Sequence, residues 1–419
     1  MASPGIRSRV LAASTDRDRV LDAVKAVALL LVIVGHSLAW HTPGDGTAIN
    51  VLELAPWLIP LTWVFQVLPL FFAAGAVSNA ASLARHGHRS YLSTRARRLL
   101  TPVLVYATFW TVLLLPFSAS TAGAGAGRFL AQLLWFAGVY LLVAAAAVFT
   151  TKWSRRPVVT LLVWLALIVG VDAVRTTPWS AWGWINMLLV WGWLHQVGYH
   201  LPSMRGRSWA APAGVGLIAL SVVIAFVGPY SNSLISVAGL PGLSNLAPPS
   251  VVLAIYGAGQ ILLIAGVWPW LQRLLTNDRL WVVIALIGAR GMGMYLWHIP
   301  LVGLAAGTAI ATGWQAAALS ATWWSVHIAV VVIVVPTAWV LAGIAHRPET
   351  LITRLQLPVG WPAAACALGG LTVLNMAATG FATRCGPGAV GLPSSALLNL
   401  AVVWLAFLTA AAVTGRKAR

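Results

Sequence analysis

One apolar run of the sequence, "RVLDAVKAVALLLVIVGHSLAW", contains three ionisable residues, Asp22, Lys25 and His36. Such groups are costly inside a hydrophobic span and face a cavity or a partner there. Eleven residues separate Lys25 from His36, about three full helical turns, so both side chains leave the same face. Asp22 lies about 60° from Lys25 and about 40° from His36 on the helical wheel. Leu29 and Val32 fill the stripe between them. The rise carries His36 about 16 Å beyond Lys25 and about 21 Å beyond Asp22, so Asp22 cannot orient the imidazole. An anion held by Lys25 would present its far end to His36. The alternative is a histidine bonded to a neighbouring helix, with Lys25 snorkelling to the interface.

A second basic feature is "YLSTRARRLLTPV", where Arg95, Arg97 and Arg98 precede a helix with Pro102 in its first turns. Proline is tolerated there because its missing amide proton would be unsatisfied anyway. Arginine grips phosphate oxygens in pairs. The same residues also read as a topology signal or as attraction to anionic lipid. His195, His200 and His327 have no metal-ligand spacing, and no GxSxG, Walker or HExxH motif is present.

The elements that must hold these residues are apolar helices. The chain has 419 residues, 60% hydrophobic and 8% charged, against about a quarter charged in a soluble domain. It cannot cover a water-facing surface, and the expected fold is all-α, a polytopic helical membrane protein. Twelve spans are expected, near 21–40, 61–84, 99–117, 128–150, 157–175, 183–201, 211–228, 250–271, 287–311, 323–345, 361–383 and 396–413. The organisation expected is a basic tail over 1–19, one membrane domain over 20–345, and a loop with two further helices over 346–419.

The net charge of +18 is spread over short segments between apolar runs, which argues against a nucleic-acid partner and for a lipid bilayer. With a cytoplasmic N-terminus, 21 of the 26 basic residues fall in inner segments, among them Arg416, Lys417 and Arg419. Arg128, Arg175 and Arg384 alone fall outside, and Lys25 and Arg290 lie within spans. That bias predicts a cytoplasmic-membrane protein with both termini inside. Arg7, Arg9, Arg17 and Arg19 precede the first run, but no A-x-A-like site follows it, so it reads as a retained helix. The outer connection 229–248 is uncharged, either a lid or merely loose. Trp179, Trp182 and Trp184 mark an outer boundary, as an interfacial belt or as a stacking surface for a sugar ring. Cys366 and Cys385 would stand about 28 Å apart along one helix, too far for a disulfide.

Taken with its neighbours, the first run resembles acyltransferase family 3, the membrane O-acyltransferases. Lys25, ten residues and His36 match that family's [R/K]-x10-H signature. "LPLFFAAG", with Phe71, Phe72 and Gly75, is similar to its FF-x-x-SG segment, with Ala74 in place of serine. "RARRLLTP" resembles its arginine motif through Arg95, Arg98 and Pro102, and "LWFAGVYLL" its fourth-helix pattern through Trp135 and Phe136. "GMYLWHIP", with Tyr295, His298 and Pro300, is similar to its late tyrosine–histidine segment. The resemblance covers about residues 17–345 and implies a ten-helix core, followed here by about two additional C-terminal helices.

It also implies an activity. An acyl group, acetyl by default, would pass from cytoplasmic acyl-CoA to a hydroxyl acceptor such as a sugar or glycolipid, with acyl-CoA as substrate and no bound cofactor or metal. His36 would be catalytic, as base or transient acyl carrier. Lys25, Arg95 and Arg98 would face the donor's nucleotide and phosphates. Asp22, Tyr295 and His298 would complete the binding residues, with His298 either a second catalytic group or a brace. The main rival is a proton-coupled secondary transporter of twelve helices, although no convincing repeat relates residues 1–210 to 211–419, and a third reading, a non-enzymatic scaffold or lipid-interacting partner, leaves the one-face stripe unexplained.

Overall fold

The computed structural model describes residues 6–12, 14, 17–357, 360–388 and 393–411. Arg416, Lys417 and Arg419 therefore lie outside the described residues. The helices used below, numbered in chain order, are α1 (Arg19–Leu38), α2 (Leu68–Leu114), α3 (Leu134–Trp153), α4 (Pro157–Val174), α5 (Asn186–Gly198), α6 (Ala210–Val227) and α7 (Val251–Gly266). They are followed by α8 (Trp268–Leu274), α9 (Asp278–Ala289), α10 (Gly291–Ala311), α11 (Ala321–Ile352), α12 (Pro362–Thr379) and α13 (Ala396–Thr409). Strand is confined, among the described residues, to two short antiparallel pairs, one of them β1 (Trp40–His41) with β2 (Ile49–Asn50). The chain is an all-α, polytopic membrane protein.

All twelve expected segments fall on helices, but fewer of them qualify alone as crossings. Among the described residues eight stretches are long and apolar enough to span a bilayer, or nine if α7 and α8, bent by 58°, form one. Two differences account for the shortfall. The segments 183–201 and 396–413 hold helices of only 13 and 14 residues. The expected second and third spans are one helical stretch, because the connection between them is itself helical. Its charges hide an amphipathic pattern: Tyr91, Leu92, Ala96, Leu100 and Leu104 are buried at helical spacing. The single break is Gly87, at φ 70°, a left-handed conformation that suits glycine. Pro102 consequently sits well inside α2 rather than in a first turn, where it denies the Arg98 carbonyl its helical amide donor.

The chain divides into two compact units. The first comprises Met1–Val77 and Trp153–Trp339, the second Ser78–Lys152 and Val340–Arg419. In the first, α6 and α7 pack closely, α1 packs along α9 and α10, and α5 packs on α4 and α7. Ring stacking of Phe72 on Trp191, with centroids 4.8 Å apart, ties the start of α2 to α5. In the second, α12 pairs with α13, and α3 crosses α12 where Gly138 meets the Gly370 carbonyl. Cys366 is buried and Cys385 exposed, both as free thiols.

A polar clamp organises the long connection between α6 and α7. Asp172 near the end of α4 accepts from Arg175 Nη1 (3.0 Å), Asn186 Nδ2 (3.0 Å), the Tyr230 hydroxyl (3.1 Å) and the Val251 amide (2.7 Å). Burial, reinforced by the Asp172 charge, holds the Tyr230 phenol above its ordinary range, so it stays a donor. Arg175 Nη2 adds a bond to the Ser244 carbonyl, 2.7 Å. The connection is therefore pinned at 230, 244 and 251 rather than loose. Trp179, Trp182 and Trp184 are each more than half exposed, as an interfacial belt requires.

Candidate active site

Helix α1 begins where Asp18 caps it, its carboxylate accepting from the Val20 and Leu21 amides at 3.1 Å each. One turn on, Asp22 is clasped from both sides: Lys25 Nζ lies 2.7 Å from Oδ1 and Arg17 Nε 2.7 Å from Oδ2. The partner of Asp22 is thus Lys25, with Arg17 added. Arg205 Nη2 sits 2.8 Å from Asp18 while its guanidinium stacks 3.8 Å above the Trp268 ring. Asp278, at the start of α9, takes Arg19 at 3.2 Å and Arg7 at 3.9 Å. Five cations share three carboxylates around one end of the helix, an excess of positive charge that attracts anions. Arg17 and Arg205 escape the sequence reading because their partners are set by packing and capping, not by a motif.

At the other end of α1 stands His36. Gly35 beside it lets the Phe65 ring approach, since a Cβ there would lie 3.2 Å from the ring. Phe65 ends a short helix, Leu61–Phe65, and the chain breaks at Gln66 before α2. Helix α7 holds that break open: Gln260 Nε2 donates to the Gln66 carbonyl (2.9 Å), and the Tyr256 hydroxyl donates to the Trp63 carbonyl. Gln66 in turn donates to the Leu234 carbonyl at 2.8 Å, tying the break to the long connection.

His298 on α10 meets His36 across this gap. Its Nε2 is 3.2 Å from His36 Nδ1, and its Nδ1 is 3.2 Å from the Met294 carbonyl one turn back. The bonds fix the ring proton of a neutral His298. A carbonyl only accepts, so His298 Nδ1 carries hydrogen and His298 Nε2 is an acceptor. His36 Nδ1 faces that acceptor, and the His36 ring also bonds the Val32 carbonyl one turn back. His298 is fully buried, whereas His36 keeps part of its surface accessible. The arrangement holds the His36 ring between its own helix and His298, a residue that is itself held by backbone. Tyr295 lies beside the pair, its ring centroid 6.0 Å from that of His298.

Arg95 and Arg98 belong to the second unit, on the helical stretch after Gly87. Arg95 Nη2 reaches the Ser78 carbonyl at 3.3 Å, its guanidinium lies 5.4 Å from the Tyr91 ring centroid, and its buried Nε has no hydrogen-bond partner. Arg98 is exposed. Among the described residues neither arginine forms an ion pair. Arg97 differs: its guanidinium donates to the Thr353 and Leu355 carbonyls and lies over Phe407, bracing the chain before α12. Among the described residues no cluster of three histidine, cysteine or acidic side chains is arranged to hold a metal ion.

The structure is thus a bundle of membrane-spanning helices in which α1 carries a contacting histidine pair toward one end and a cluster of cations at the other. Residues 18–343 match the acyltransferase-domain family Acyl_transf_3, and the chain belongs to that family. Curated proteins and solved structures give no match.

Proposed function

We propose that this protein transfers an acyl group, acetyl by default, from acyl-CoA to a hydroxyl of a carbohydrate, glycolipid or other envelope or secreted acceptor. The observation that carries this reading is the His36–His298 pair, in which a half-buried imidazole on α1 is held by a fully buried one on α10. In the proposed step His36 Nε2 takes the acceptor hydroxyl proton as its oxygen attacks the thioester carbonyl. The carbon–sulfur bond breaks, and the departing thiolate leaves with the proton from His36. Transient acylation of His36 is the variant route. The N-terminal end of α1 faces the cytosol in this scheme, so Lys25 and the surrounding cations meet the donor's phosphates before its acyl end reaches His36. His298 is a positioning residue.

Arg95 and Arg98 are assigned to the nucleotide and phosphates of the donor, because among the described residues neither is spent on an ion pair and Arg98 is exposed. A hydrogen bond to a charged group contributes about 1.5–3 kcal/mol, so Arg95→Ala with Arg98→Ala should raise the KM for acyl-CoA by roughly 10²-fold. The KM for acceptor should stay near its original value. Steady-state kinetics on protein in lipid nanodiscs measures both, and an unchanged donor KM would return the two arginines to topology alone.

The pair itself is tested by two substitutions of His298. His298→Ala frees the His36 ring to rotate and should lower kcat about 10–100-fold with little change in either KM, as a misplaced catalytic group does. His298→Gln should recover part of the loss, since its amide can accept from His36 and donate to the Met294 carbonyl. Equal rates for the two variants would show that acceptance at that position is irrelevant. The activity as a whole is tested by mass spectrometry of envelope glycans, lipids and secreted products with and without the protein. A difference of one acyl unit identifies donor and acceptor together. Loss of uptake or export of an unmodified solute would overturn the reading in favour of a transporter.

A further inference from the structure

The second unit is basic with almost nothing to balance it. Ser78–Lys152 and Val340–Arg419 carry 13 of the 26 lysines and arginines but one of the eight acidic residues, Glu349. That carboxylate is already engaged, its Oε2 3.3 Å from His346 Nδ1. Among the described residues none of the unit's lysines or arginines forms an ion pair. The rest of the chain, with 13 basic and seven acidic residues, has no negative charge to spare. The counter-ions of this unit come from its surroundings.

One place in the unit is shaped to hold such an ion. A cavity of about 600 Å³ lies between the helical stretch after Gly87 and the start of α12. His88, Arg89 and Leu92 form one wall, and Trp361, Ala363 and Ala364 the other. Arg89 Nη2 donates to the Gly360 carbonyl at 3.0 Å, which fixes the guanidinium at the wall. Both His88 and Arg89 are exposed, so their remaining N–H groups are accessible to a ligand. Arginine binds phosphate oxygens in pairs.

The position of the cavity selects the kind of phosphate. Helix α12 is long and apolar enough to span a bilayer, so its first residues lie at headgroup depth. Trp361, 64% exposed just before it, is the residue type that marks that depth. Ala364, in the cavity wall, begins an exposed stripe that Leu368 and Leu371 continue at helical spacing. A phosphate in the cavity with hydrocarbon along that stripe describes a phospholipid. A choline or ethanolamine ammonium would need a carboxylate beside it, and no acidic residue lines the cavity.

We propose that this cavity binds an anionic glycerophospholipid, with Arg89 and His88 on the phosphate and an acyl chain along Ala364, Leu368 and Leu371. One wall lies beyond residues 18–343, so the site depends on a segment outside the matched acyltransferase domain. It does not rest on the acyl-transfer reading.

Native mass spectrometry of the full-length protein, released from micelles with added lipid, tests the proposal. The first bound dioleoylphosphatidylglycerol should be held roughly 10-fold tighter than dioleoylphosphatidylcholine. Arg89→Ala should weaken it about 10-fold, and Arg89→Lys, which keeps the charge but loses the fork, by less. His88→Ala breaks no hydrogen bond among the described residues, so it serves even where Arg89→Ala fails to fold, and should cost roughly 3-fold. Arg128→Ala removes a charge of the same unit outside the cavity and should change nothing. Equal affinity for the two lipids overturns the proposal, as does an Arg128→Ala loss equal to that of the cavity variants, since charge alone would then hold the lipid. Inorganic phosphate that displaces phosphatidylglycerol at equal concentration would also overturn it, and would assign the cavity to a soluble anion.

Discussion

Replacing His36 with alanine is expected to lower acyl transfer from acyl-CoA by about 10³-fold, inside the range a positioned base contributes. The protein should still insert and purify as one species. The side chain is only partly buried, and its ring bonds His298 at 3.2 Å and the Val32 carbonyl of its own helix. Its removal leaves His298 Nε2 without a donor, a cost of about 1–3 kcal/mol, which a folded membrane domain tolerates. Loss of rate therefore reports chemistry and not unfolding. Initial rates with labelled acyl-CoA, at matched protein in nanodiscs, are the measurement. A variant keeping more than about a tenth of the rate would remove His36 from the mechanism, since a base contributes at least about 10²-fold. The same preparation separates the two routes: an acyl carrier gives a hydroxylamine-labile adduct on His36 when acceptor is withheld, and a base gives none.

The stripe of Asp22, Lys25 and His36 is legible in the sequence because a helix has a fixed period and its charges stand out in an apolar run. Which side chain holds His36 is not, because His298 lies 262 residues away and only packing brings the two together. What local pattern does offer is the spacing of Met294 and His298, one turn apart, so that a buried imidazole can bond its own helix. The arginine stretch shows the opposite failure. Arg95, Arg97 and Arg98 look like a loop because charge is read as exposure, yet Tyr91, Leu92, Ala96 and Leu100 bury one face and keep the chain helical. Their different fates, Arg97 spent on carbonyls and Arg98 exposed, depend on where the 353–355 segment passes.

Asp172→Ala should cost the fold about 3–5 kcal/mol, because removing one partner leaves Arg175 charged and buried with no counter-ion. Both side chains of the pair are almost completely enclosed, at 2% and 4% exposure, so solvent screening offers little relief. The loss goes beyond the ion pair. Asp172 also takes the first amide of α7 and the Tyr230 hydroxyl, and a carboxylate at a helix N-terminus is favourable there. The long connection would come free at 230 and 251, and with it the segment whose Leu234 carbonyl receives Gln66. The Gln66 break borders Phe65, which packs against Gly35 beside His36. The variant should therefore melt well below the unsubstituted protein and be cut in 229–250 by added protease. Per folded molecule it should keep most of its kcat, because the proposed scheme gives Asp172 no part in binding or proton transfer. A thermal midpoint close to that of the unsubstituted protein, with the connection still resistant, would mean that the Tyr230, Asn186 and Val251 donors find other acceptors, and that the carboxylate is not what fastens the connection to the helices.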